Sequence, residues 1–200
     1  MKSYPKHTAE RNARAGLPVV RFMQSHMSLP AANWLLKRGM SRARPGDVAR
    51  NTVSANGVPC EWLIPPNSPA GQALLYLHGG GFVFGLTPQH LQMGAYLARK
   101  MNTRILMVDY RLAPKHPFPA ALDDCAAAYR WLLQQGIPAQ NIAVAGDSAG
   151  GNLTLTLLMR LRDSGEPLPA AAACLSPVTD MTKDMVHPGF QDPLLPPKAM

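Results

Sequence analysis

The hydrophobic rhythm of the chain changes twice. Over residues 1 to about 45 the apolar positions cluster at helical spacing: Val19, Val20, Phe22, Met23 and Met27, then Trp34, Leu35 and Leu36. That spacing predicts amphipathic helix, interrupted at Pro30, whose ring removes a donor and clashes with a preceding turn. "VARNTVS" and "VPCEWLI" follow as a strand pair. The "ANG" between them predicts a hairpin, because Asn-Gly tolerates the positive φ of a tight two-residue turn. From residue 72 strands and helices alternate. "ALLYL" reads as a buried strand, 88 to 101 as a helix and "TRILMVDY" as a strand. Residues 119 to 135 read as a helix with Asp123 and Asp124 in its first turns, where the helix dipole favours anions. "NIAVAG" is a strand, 148 to 163 a helix and "AAAACLS" a strand. Such alternation implies crossover units, so the fold class is α/β: a mostly parallel sheet with helices on both faces. The expected division is a helical segment over 1–45 and an α/β core over 46–200.

Composition narrows the function. An apolar fraction of 46% and a charged fraction of 16% describe a globular chain, neither disordered nor fibrous. The net charge of +8 raises the question of nucleic acid. Its densest basic groups, "ERNAR" and "KRGMSRAR", carry no interleaved aromatics, which favours a solvated arm and no nucleic-acid partner. Cys60, Cys125 and Cys174 lie far apart, without metal-ligand spacing, and an odd thiol is left over from any disulfide. A reducing compartment follows, and with no apolar leader or membrane-length run the expected location is cytoplasmic.

Two short motifs carry chemistry. In "NIAVAGDSAGGNLTLTLL", Gly146, Ser148 and Gly150 form Gly-x-Ser-x-Gly where a buried strand ends and a helix begins. That setting defines a nucleophile elbow: a turn too tight for flanking side chains, which lifts the serine oxygen to the carboxyl edge of the sheet. The alternative is a serine that only caps its helix. "HGGGFVFG" places three glycines after the strand "ALLYL". Bare amides there suit an oxyanion, and Ala149, the residue after the serine, offers another amide. A phosphate cradle is the competing reading, but neither Gly-x-Gly-x-x-Gly nor Gly-Lys-Ser/Thr is present.

"HGGGFVFG", "VDYRLAPKHPFPAALDD", "GDSAGGNL" and "LSPVTDMT" resemble, in order and spacing, the hormone-sensitive-lipase-like esterases of the α/β-hydrolase fold. The resemblance covers about residues 50 to 200. It implies a carboxylic ester hydrolase for short-to-medium acyl chains, with a helical cap formed partly by the N-terminus and with neither cofactor nor metal. By position, Ser148 is the nucleophile, and Gly80, Gly81 and Ala149 supply oxyanion amides supported by Gly79. Phe22, Met23, Met27, Trp34 and Phe82 become pocket residues. Tyr110 and Arg111 brace the loop beside the site, His116 is solvated, and Asp147 points away from the serine to anchor its turn. The partner is a small ester, and a homodimer stays open.

One part of the pattern is not met. In this fold the acid and the histidine base follow the nucleophile, after the seventh and eighth strands. Six strands can be counted, the last ending near Ser176, and each further βα unit takes about 30 residues. The only histidine after Ser148 is His187, in the proline-rich loop "HPGFQDPLLPPKAM". The expectation is therefore that the last strands, with the catalytic Asp and His, lie beyond residue 200. A catalytically silent fragment, a binding protein on the same scaffold, and a hydrolase using His187 as a substitute base remain the alternatives.

Overall fold

The computed structural model describes residues 28–40 and 46–180; Phe22, Met23, Met27 and His187 lie outside them. Helix α1 covers Leu29–Met40. Pro30 falls in its first turn, where the amide that proline lacks would have had no helical acceptor. The hairpin follows as β1 (Ala49–Ala55) and β2 (Val58–Ile64), in register from Ala49↔Ile64 to Ala55↔Val58. Asn56 (φ 52) and Gly57 (φ 90) both have positive φ, as a two-residue turn of the right twist requires. Arg50 clasps Glu61 through Nε and Nη2, both at 2.9 Å, across the pair.

The alternating region becomes β3 (Ala73–Leu77), α2 (Pro88–Met101), β4 (Arg104–Val108), α3 (Ala120–Gln134), β5 (Ile142–Asp147), α4 (Ala149–Asp163) and β6 (Ala171–Leu175). The sheet order is β1-β2-β4-β3-β5-β6. The β1/β2 and β2/β4 pairs are antiparallel, and β3 runs parallel to both β4 and β5, with β6 parallel to β5. With neighbours on both sides and helices above and below, β3 is buried at every position. Side-chain alternation divides the core between the two faces. Leu75, Leu77, Leu106 and Val108 meet Tyr129 of α3 and Leu153 and Leu157 of α4. Leu74, Tyr76, Ile105 and Met107 meet Leu91, Ala95 and Ala98 of α2.

Side-chain contacts tie the elements together. Thr87 caps α2 and His90 reciprocates, its Nδ1 accepting from the Thr87 amide at 3.1 Å. Asp124, at the start of α3, receives the Arg111 amide at 2.8 Å and its guanidinium at 2.8 to 3.0 Å. Arg160 of α4 reaches Asp123 at 2.6 Å. Among the described residues β6 pairs only with β5, and Ala171, Ala172, Ala173 and Leu175 are exposed. No helix among the described residues is long and apolar enough to cross a membrane.

Candidate active site

Parallel pairing of β3 with β5, in register at Leu77↔Gly146, brings the ends of both strands to one edge of the sheet. "HGGG" and Ser148 therefore emerge side by side. β5 ends at Asp147, α4 begins at Ala149, and Ser148 alone makes the turn, with φ 51 and ψ −116. A side chain in that region is strained, a state that persists only where the surroundings impose it. The surroundings do so here. The Ser148 amide donates to the Leu175 carbonyl at 2.9 Å, and its own carbonyl accepts from Asn152 at 3.1 Å and Val178 at 3.3 Å. Asn152 Nδ2 in turn donates to the Val178 carbonyl at 2.7 Å. The segment 175–178 is thus a brace against the elbow. The Ser148 side chain makes no capping hydrogen bond, so helix capping does not account for it.

The glycines beside Ser148 are explained by close approach. A Cβ on Gly150 would overlap the carbonyl oxygen of Leu77 and crowd that of His78. A Cβ on Gly146 would meet the backbone of Gly150. Helix α4 therefore starts hard against the end of β3, which only glycine permits. Ala149 is fully buried at the first position of α4, among the amides that have no acceptor within a helix.

The glycine loop turns back on itself. Gly80, Gly81 and the non-glycine Phe82 have successive φ values of 131, 60 and 62. Val83 and Phe84 both donate to the Gly80 carbonyl, at 3.1 and 2.9 Å, and Ala113 donates to the Phe82 carbonyl at 2.9 Å. Gly80 is half-buried and Gly81 exposed, and neither amide donates to another described residue. Two backbone donors are thereby left at the mouth of the strand edge that carries Ser148.

Beneath this loop lies a polar network. Asp147 turns away from Ser148, and its Oδ1 accepts from the Tyr76 hydroxyl at 2.8 Å and the Gly79 amide at 2.9 Å. The same carboxylate fills the space a Gly79 side chain would need. Burial, and then the bond to Asp147, raise the Tyr76 hydroxyl well above the usual range. The Tyr110 hydroxyl donates to the His78 carbonyl at 2.7 Å, and its ring stacks on the His78 ring at 4.1 Å. His78 Nδ1 lies 2.7 Å from the Gly79 carbonyl, which can only accept, so Nδ1 carries the proton. His78 is wholly buried, and burial lowers its pKa to about 3, keeping the ring neutral.

The remaining residues nominated from sequence fall elsewhere. Phe82 is half-buried and packs against the α3/α4 side of the core. Trp34 is 61% exposed on α1, with the Arg38 guanidinium 5.4 Å from its ring centroid. Arg111 and Tyr110 do brace the loop region, through Asp124 and the His78 carbonyl. Residues that sequence reasoning passed over are Tyr76, read only as part of a buried strand, and Asn33. The Asn33 amide donates to the Val83 carbonyl at 2.8 Å and accepts from the Gly85 amide at 3.0 Å. Nothing local in the sequence marks either partner.

Comparison with known proteins agrees with this architecture. Residues 74–200 match a family model described as the alpha/beta hydrolase fold. The chain is 44% identical over 137 residues to a protein named acetyl-hydrolase from Streptomyces hygroscopicus, covering 68% of this chain and 44% of that one. It is 35% identical over 199 residues to esterase LipU of Mycobacterium tuberculosis, covering 98% of this chain and 59% of the relative. A crystal structure of an esterase from the bacterial hormone-sensitive lipase family superposes with a TM-score of 0.75 at 41% identity, over 84% of this chain and 58% of that one. The chain thus spans about half the length of the curated relatives it matches. With the strand order, the serine turn and the glycine loop in place, the chain belongs to the alpha/beta hydrolase fold family, on its hormone-sensitive-lipase-like branch.

Proposed function

We propose that the protein is a serine-dependent carboxylic ester hydrolase acting on small esters of short-to-medium acyl chains. The observation that carries this reading is the juxtaposition of Ser148, strained and uncapped, with the amides of Gly80 and Gly81 at one sheet edge. In this reading the Ser148 oxygen adds to the ester carbonyl carbon as its proton passes to a base. The carbonyl oxygen becomes an oxyanion that the amides of Gly80, Gly81 and Ala149 meet with hydrogen bonds. The carbon–oxygen bond to the alcohol then breaks, the base returns the proton to the alcohol, and water releases the acid from the acyl-serine. The base and its orienting acid are assigned to sequence C-terminal to the described residues. His78 is unsuited to the role, since it is wholly buried and committed to Gly79. The relatives' names, acetyl-hydrolase and esterase, support a short acyl group. Residues 1–45, with Phe22, Met23, Met27 and Trp34, are assigned to a cap over the acyl site, and residues from 46 onward to the hydrolase core. Three unpaired thiols support a reducing compartment.

The test is active-site labelling. A fluorophosphonate should label the full-length protein and hydrolysis of a nitrophenyl acetate should be detectable, with both lost in Ser148→Ala. Equal labelling of wild type and variant would remove Ser148 from the mechanism.

A further inference from the structure

The glycine loop is a segment of unfavourable backbone angles, and such a segment keeps its shape only where it is tied down. Its incoming limb is tied by Tyr110 at the His78 carbonyl and by Asp147 at the Gly79 amide. Its apex is tied by Ala113 at the Phe82 carbonyl. Its outgoing limb is tied at both Val83 and Gly85 by one side chain, Asn33 of helix α1. A primary amide that gives one hydrogen bond and takes another acts here as a neighbouring strand's peptide group would. Serine and threonine reach less far, and an ionised aspartate cannot donate.

We propose that Asn33 is a positioning residue for the oxyanion loop: by clasping Val83 and Gly85 it holds the amides of Gly80 and Gly81 in place to meet the developing charge. The proposal deepens the esterase reading and rests on it. It makes α1 part of the catalytic apparatus through a side chain that touches no substrate. Releasing the clasp lets the loop's outgoing limb relax, and Val83 and Phe84, which both bond to the Gly80 carbonyl, transmit the shift to the glycines. A displacement of about 1 Å at a reacting centre costs about 100-fold in rate. The donors are needed in the transition state far more than in the substrate complex. Asn33→Ala should therefore lower kcat about 10-fold to 100-fold while KM stays within about twofold. Alanine favours helix more than asparagine does, so α1 itself is not weakened by the change.

The experiment compares wild type, Asn33→Ala, Asn33→Asp and Ser148→Ala in the full-length protein, on a short nitrophenyl ester. Competent sites are titrated with a fluorophosphonate so that kcat is expressed per site. The expected result is a fall in kcat per titrated site for Asn33→Ala with KM nearly unchanged. Asn33→Asp should fall at least as far at neutral pH, because its carboxylate faces the Val83 carbonyl. Its activity relative to wild type should recover only as the pH falls from about 5 towards about 4, where a protonated carboxyl regains a donor. Wild-type kcat per site in Asn33→Ala, or a loss confined to the number of competent sites, would overturn the proposal. Activity retained in Ser148→Ala would instead overturn the esterase reading.

Discussion

His78 offers a quantitative test of the network beneath the glycine loop. Its ring is wholly buried against Tyr110, its Nε2 has no hydrogen-bond partner among the described residues, and the half-buried His90 ring lies 5.4 Å away. Burial is the largest influence and lowers the His78 pKa from 6.5 to about 3; the Gly79 carbonyl and Asp147 oppose it, and His90 adds to it. Between those two values the unfolded chain binds a proton that the folded chain refuses, so stability falls as pH drops through that window. The slope approaches about 1.4 kcal/mol per pH unit, which amounts to about 2 kcal/mol lost between neutrality and about pH 5. His78→Asn removes the titration, while its amide can still donate to the Gly79 carbonyl. The variant should be less stable at every pH through lost stacking, but its pH profile should be shallower by about that 2 kcal/mol. His90 is also lowered, chiefly by burial, but it is present in both proteins, so the difference isolates His78. Urea unfolding at about pH 7.5 and about pH 5 measures it, above the range where carboxylates titrate. Parallel profiles for the two proteins would refute the claim that the folded state excludes the proton.

Two further outcomes follow from the backbone contacts. Gly150→Ala would stabilise an ordinary helix by about 1 kcal/mol, but here its Cβ overlaps the Leu77 carbonyl, and a net loss of about 1 to 3 kcal/mol is expected by urea unfolding. A stabilised variant would show that α4 does not start against β3. Asp147→Ala strands the Gly79 amide, at about 1 to 3 kcal/mol for an unsatisfied group, and leaves the buried Tyr76 hydroxyl only the weaker Met93 sulfur, 3.8 Å away. Asp147→Asn keeps an acceptor for both and should recover most of that stability and of the fluorophosphonate labelling rate; equal losses in the two variants would mean that charge, not hydrogen bonding, is what Asp147 supplies.

The fold was legible because its elements announce themselves locally. "ALLYL" is uninterrupted because β3 has strands on both sides and helices on both faces, and a strand so placed has no solvent face to encode. Helix α2 begins at Pro88 and ends at Met101, as the sequence pattern predicts, because Thr87 and Asn102 cap it and proline suits a first turn. The serine turn was legible for a related reason. Its glycines are demanded by contacts with the next strand, and a residue with no side chain is visible in any sequence. Asp147 was expected to face away from the serine and does so, though the sequence did not reveal that it would hold the neighbouring loop.

The pins of that loop were not legible, and the reason is geometric. Glycine confers the freedom to adopt positive φ, and the same freedom means that the loop cannot hold one shape by itself. What holds it comes from Asn33, Tyr110, Ala113 and Asp147, which lie up to 68 residues away and belong to three different segments. None breaks a local pattern: an asparagine in an amphipathic helix and a tyrosine after a strand are ordinary residues there. Trp34, the conspicuous residue of α1, proves exposed, whereas its inconspicuous neighbour Asn33 carries the contact. The apolar period along a helix records which face is turned from water, but it does not record which polar group on the margin of that face meets an unpaired backbone. Where a site depends on bare amides, its donors are written in glycine and its rigidity in scattered side chains that only the folded chain assembles.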